Sequence, residues 1–123
     1  MHKNWPAMAE ELNPLVAALR SAQPEIMKGF SQMAQAAFKT EALDTKTKEL
    51  IALAISVAVR CDPCITFHAK GAVKAGASDA ELGEAMGLAI YMGAGPSVMY
   101  AAQALEAAEQ WRVAGKTTAS QTA

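Results

Sequence analysis

Lys48-Glu49-Leu50-Ile51-Ala52-Leu53-Ala54-Ile55-Ser56-Val57-Ala58-Val59-Arg60-Cys61-Asp62-Pro63-Cys64-Ile65-Thr66-Phe67-His68 is the stretch on which the reading of this chain turns. In its first half, Leu50, Ile51, Leu53, Ala54, Ile55, Val57, Ala58 and Val59 cover nearly the whole circumference of a helix. A helix that is apolar all round has to be buried on every side. A chain of 123 residues has difficulty enclosing one completely, so the pattern predicts that another subunit covers a face. Gly83 and Gly87, with Ala80 and Ala94 nearby, fit this expectation because small residues let helices approach closely. The second half holds the chain's two cysteines, Cys61 and Cys64, separated by Asp62 and Pro63. A bridge over so short a loop adds little stability, since that contribution grows with loop length. The pair therefore reads as chemistry: a dithiol that opens and closes.

Outward from this stretch the sequence predicts an all-α domain of about six helices. Alternating strand patterns are absent and Ala, Leu, Met, Glu and Lys predominate, which favours helix. Helices are expected over 7–20 and 24–38, the second opened by Pro24. A third starts after Asp44 or Thr45, both plausible caps, and runs to about Arg60. Pro63 interrupts the pattern, and a fourth helix carries Cys64 to about Lys74, ended by Gly76. Ser78 caps a fifth, with Glu81 completing a capping box. Gly93-Ala94-Gly95-Pro96 separates it from a sixth over about 97–113. Residues 1–114 form one domain, and the small polar stretch 115–123 is expected to be a tail without order.

Positions 61, 64 and 68 share one helical face two turns long. His68, one turn beyond Cys64, can take the thiol proton and then stabilise the thiolate as a cation. The break at Asp62-Pro63 sets the thiols at a helix N-terminus, whose free N–H groups favour negative charge. Both influences are expected on Cys64, making it the activated thiol and Cys61 its redox partner. Glu49 reads first as a helix-start carboxylate favoured by the helix dipole. If the next helix folds back antiparallel, a water-bridged relay from Glu49 to His68 becomes possible. Zinc is a competing reading of Cys61, Cys64 and His68, but a structural site needs four ligands and no second pair exists. Ile65 stands where covalent haem attachment needs a histidine. The chain calls for no cofactor.

Composition narrows the classes further. With 52% hydrophobic and 19% charged residues and a net charge of −1, the chain is globular and lacks the basic stripe of a nucleic-acid binder. The start has no apolar leader core, and the run Leu50 to Val59 is too short to span a bilayer, so neither membrane nor nucleic acid is an expected partner. A cytoplasmic location is expected, where a Cys-x-x-Cys pair reads as catalytic, redox-active or metal-binding.

Glu49, eleven residues, Cys61-x-x-Cys64, three residues, His68 resembles the signature of the AhpD-like branch of the carboxymuconolactone decarboxylase family. Lys48-Glu49-Leu50-Ile51-Ala52-Leu53 before it and Gly76-Ala77-Ser78-Asp79-Ala80-Glu81-Leu82 after it are similar too. The resemblance covers about residues 40–95. It implies an all-α fold and an obligate oligomer, a homohexamer first and a homotrimer next. It also implies thiol-dependent peroxidase or disulfide-reductase activity, with Glu49 and His68 relaying protons to Cys61 and Cys64. The implied partners are a hydroperoxide or disulfide substrate and an external dithiol reductant, lipoyl- or thioredoxin-like. Pro63 departs from the pattern, standing where the best-studied AhpD proteins carry an additional histidine. Two alternatives stand beside this: a lactone decarboxylase, the activity that names the wider family, and a non-catalytic oligomeric binding module.

Overall fold

Asn4, Asp44, Cys61 and Ser78 each offer a side-chain acceptor to the first turn of the helix that follows, and so divide the chain into its elements. The computed structural model describes residues 2–122 and, among them, no strand. It has five helices: α1 Trp5–Ala22, α2 Pro24–Phe38, α3 Thr45–Ala58, α4 Asp62–Lys74 and α5 Asp79–Thr122. Ser78 and Glu81 form the expected capping box, Ser78 Oγ accepting from Glu81 N–H at 3.1 Å and Glu81 Oε1 from Ser78 N–H at 2.9 Å.

The expected fifth and sixth helices are two arms of α5. Ala94, at φ 53° and ψ −137°, is the non-helical joint between them, and Pro96 lies in the first turn of the second arm, where a missing N–H costs nothing. The second arm continues through Thr122, into the stretch expected to be an unordered tail; Ala123 and the side chains of 117–122 lie outside the described residues.

Pro63 is a starter and not an interruption. It occupies the first turn of α4, which begins at Asp62, two residues before the expected start. The corner before it is tight because α3 closes in a Schellman turn with Arg60 left-handed at φ 60°. Cys61 N–H reaches Ser56 O at 3.1 Å and Arg60 N–H reaches Val57 O at 3.2 Å. The same closure ends α4 at Gly76, whose φ of 89° suits glycine.

α3, α4 and α5 pack on one another around Leu53 and Val57, Ile65, Ala69 and Ala72, and Leu82, Met86, Ala101, Ala104 and Ala108. The many alanines bring the helix axes close. Trp5 closes one end of this core, its indole N–H donating to Glu106 at 2.8 Å. α1 lies on α4 and α5, whereas α2 is carried by α1 and buries no residue. Burial of α3 differs from the expectation within this single chain: Leu53, Ser56 and Val57 are covered, while Ile51, Ile55 and Val59 face outward. No helix among the described residues is long and apolar enough to cross a membrane.

Candidate active site

The short corner Val59-Arg60-Cys61 turns the chain back, so that α4 runs beside α3 and returns towards Glu49. Cys61 is the N-cap of α4, its sulfur accepting the Cys64 N–H at 3.3 Å. Cys61 and Cys64 are joined as a disulfide at this helix start. The sequence places both activating influences on Cys64; in the structure the helix N-terminus reaches Cys61 as well. The helix N-terminus contacts the Cys61 sulfur, and Cys64 has His68 one turn further along the same face.

His68 Nδ1 and Glu49 Oε2 are 2.8 Å apart, a direct contact in place of the water-bridged relay expected from helix lengths. Both side chains are partly covered, 30% and 15% exposed, so the pair is shielded from competing water yet still reaches solvent. Against a carboxylate, Nδ1 carries the proton, which leaves Nε2 as the nitrogen free to exchange one with a sulfur or a substrate oxygen. A shallow cleft of about 620 Å³, walled by Thr40, Thr45, Lys74 and others, leads from solvent to Glu49 and Gly71. All four residues singled out from the sequence, Glu49, Cys61, Cys64 and His68, are thus brought to the α3–α4 pair, on two elements whose mutual packing holds them.

Two further residues shape the site. The ring of Phe38, the last residue of α2, stacks on His68 with centroids 5.8 Å apart and planes 11° from parallel. Gly71, one turn beyond His68, faces the Glu49 carboxylate. A Cβ built there falls 2.5 Å from Glu49 Cδ and 2.6 Å from both carboxylate oxygens, so any larger residue would push Glu49 aside. A glycine within a helix costs about 1 kcal/mol relative to alanine, and this was the one signal in the sequence that Gly71 has a task. Phe38 carried none: an aromatic residue at a helix end reads as packing.

Comparison with known proteins agrees with this architecture. The carboxymuconolactone decarboxylase family matches residues 24–107, and the chain belongs to that family. An uncharacterised protein from Cupriavidus necator is 40% identical over 95 residues, covering 77% of this chain and 84% of its own. A carboxymuconolactone decarboxylase family protein from Legionella pneumophila, solved in its apo form, superposes with a TM-score of 0.85 at 50% identity, over 88% of this chain and 96% of that one. A family protein from Thermotoga maritima, described with a suggested part in antioxidative response, superposes at 0.68 with 35% identity, over 74% and 94% of the two chains. The cysteine pair and its Glu49 spacing are consistent with the AhpD-like branch.

Proposed function

We propose that this protein is a thiol-dependent oxidoreductase that reduces a hydroperoxide, or a partner disulfide, through a Cys61–Cys64 dithiol cycle. The observation that carries the reading is the His68–Glu49 pair at 2.8 Å, one helical turn from a bridged cysteine pair. In the reduced protein the Cys64 thiolate attacks the terminal peroxide oxygen. The O–O bond breaks, the leaving alkoxide takes a proton from His68, and the sulfur becomes a sulfenic acid. The Cys61 thiol condenses with it, expelling water and forming the disulfide. An external dithiol, lipoyl- or thioredoxin-like, then attacks that bridge and is itself oxidised as the two thiols are restored. Glu49 keeps Nδ1 protonated and offsets the imidazolium charge during each transfer. The association of the Thermotoga relative with antioxidative response is in keeping with this chemistry. The decisive experiment counts thiols in reduced, folded protein before and after one equivalent of organic hydroperoxide, with mass spectrometry locating the new bond. Loss of both thiols into a Cys61–Cys64 bridge, with alcohol formed in equal amount, is expected; two free thiols that persist after both hydroperoxide and oxidised lipoamide would refute the proposal.

A further inference from the structure

Asp62, between the two cysteines, is not left to itself. The Lys3 ammonium, on the segment before α1, lies 2.5 Å from Asp62 Oδ2 and 2.6 Å from Gln103 Oε1 on α5, and sits 5.3 Å from the centroid of the Trp5 ring. Two of its three donors are held by oxygens and an aromatic face lies alongside. Both side chains are partly covered, with 32% and 28% exposed, so the pair is less screened than a surface contact. The segment carrying Lys3 is stitched down as well. His2 and Lys3 N–H groups donate to Glu106, Trp5 N–H donates to Gln110 Oε1, Gln110 Nε2 donates to Lys3 O, and Thr66 Oγ1 donates to Trp5 O. Lys3 is thus held against the cysteine corner by bonds to both α4 and α5.

We propose that Lys3 is a positioning residue for the dithiol: it draws the Asp62 carboxylate outward and offsets its charge, so that a thiolate can form beside it. The inference rests on the dithiol reading above. Asp62 follows Cys61 directly and starts the helix that Cys61 caps, so an uncompensated carboxylate there opposes a second negative charge on either sulfur and raises the thiol pKa. The other ionisable groups on the elements packed here are Arg60 between the helices, His68 on α4 paired with Glu49 on α3, and Glu106 on α5, which holds the His2 and Lys3 N–H groups; among the described residues only Lys3 is ion-paired with Asp62. Those groups are common to every variant compared, so differences between variants isolate the Lys3–Asp62 pair.

The test is alkylation of the fully reduced, full-length protein by iodoacetamide across pH 5–10. Lys3→Met is expected to slow alkylation at neutral pH about threefold, because half a pH unit in the titration midpoint changes the thiolate fraction by that factor. Lys3→Arg keeps the charge and is expected to stay near wild type, and Lys3→Met combined with Asp62→Asn is expected to regain the wild-type midpoint. A purely structural latch would not be rescued by removing the carboxylate it lost. Wild-type alkylation in Lys3→Met overturns the proposal, and so does failure of Asp62→Asn to restore the midpoint. The alkylation comparison is independent of peroxide. A wild-type protein that ignores hydroperoxide and disulfide substrates would overturn the proposed function alone, while an unmoved midpoint overturns the role of Lys3 alone.

Discussion

Gly71 shows how much a single residue decides here. The Glu49 carboxylate occupies the space that a side chain at 71 would fill. Gly71→Ala should leave the fold standing, because alanine is the better helix former by about 1 kcal/mol. What it displaces is the glutamate. The expected result is a fall in hydroperoxide turnover of at least tenfold with little change in thermal midpoint, a partial loss of the about 10²–10⁴ attributed to general acid–base catalysis. Glu49→Gln should lose a similar amount, and the double variant little more, since residues acting as one unit give non-additive losses. If Gly71→Ala turns over like wild type, Glu49 is only a helix-start carboxylate. Cys61, Cys64 and His68 stand out in the sequence by their helical spacing, whereas Glu49 reads there as a helix-start carboxylate and is singled out only by the family resemblance; the fold brings it to 2.8 Å from His68. Gly71 and Phe38 were not legible there. Each acts on a residue far away in the chain, and neither type announces chemistry.

The elements were readable wherever local chemistry sets them. Asp44 and Ser78 cap where their side chains can reach the first-turn N–H groups, and Pro24 opens α2 as its fixed φ allows. The break at Asp62-Pro63 is readable, but the start of α4 at Asp62 rather than Cys64 is not, because a proline that ends one helix and a proline that begins the next look alike until the Schellman turn at Arg60 is known. The joint in α5 was readable from Gly93-Ala94-Gly95-Pro96, but not which residue takes the unusual backbone. It falls on Ala94, not on a flanking glycine. A side chain at φ 53° and ψ −137° carries strain of order 1–3 kcal/mol. A glycine there costs about 0.4–1 kcal/mol through the unfolded chain. Ala94→Gly is therefore expected to stabilise the protein by about 1 kcal/mol, raising the urea midpoint at unchanged slope. A lower midpoint would show that the surroundings hold Ala94 without strain. The clamp between α5 and the chain start has a pH dependence of its own. Burial pushes the Glu106 carboxyl up, but N–H donors from His2, Trp5 and Lys3 outweigh it, leaving its pKa below the ordinary value. A group depressed in the folded state contributes stability above its unfolded pKa, about 4.3, and loses it as pH falls through the folded value. Glu106→Gln should accordingly cost stability at neutral pH, with the gap from wild type closing below about pH 4.

At the scale of the molecule, the all-round apolar character of α3 posed a question that one chain leaves open. One stripe of α3 enters the core, while Ile55 remains 56% exposed between the outward-facing Ile51 and Val59. Leu88, Tyr91 and Met92 on α5 are exposed too, Tyr91 by 82%. α2 presents Ile26, Phe30 and Met33 along one face, each left more than half exposed. Exposed apolar side chains thus recur on three helices, and a contiguous exposed apolar patch is the usual mark of an interaction surface. We propose that copies of the chain cover it for one another, as a homohexamer first and a homotrimer next. A stable interface buries about 1,200–2,000 Å² in total, and a single charge at its centre is costly once desolvated. Light scattering at micromolar concentration should therefore give a multiple of the chain mass for wild type and a smaller species for Ile55→Glu, with helical circular dichroism preserved. A wild-type monomer would refute the assembly. On this proposal assembly would also bear on the site. α2 rests on this chain mainly through α1 and through Lys48 at its C-terminal end, where its last residue, Phe38, stacks on the catalytic candidate His68. A neighbour that covers α2 would hold Phe38 against the imidazole and steady the His68–Glu49 contact. Ile55→Glu lies away from the cysteines and from the carboxylate, so turnover falling with dissociation, and returning at concentrations that restore assembly, would tie the site to the oligomer. Equal turnover per chain in both states would show that α1, with Lys48 bonded to Ala37 O and Lys39 O, holds α2 firmly enough.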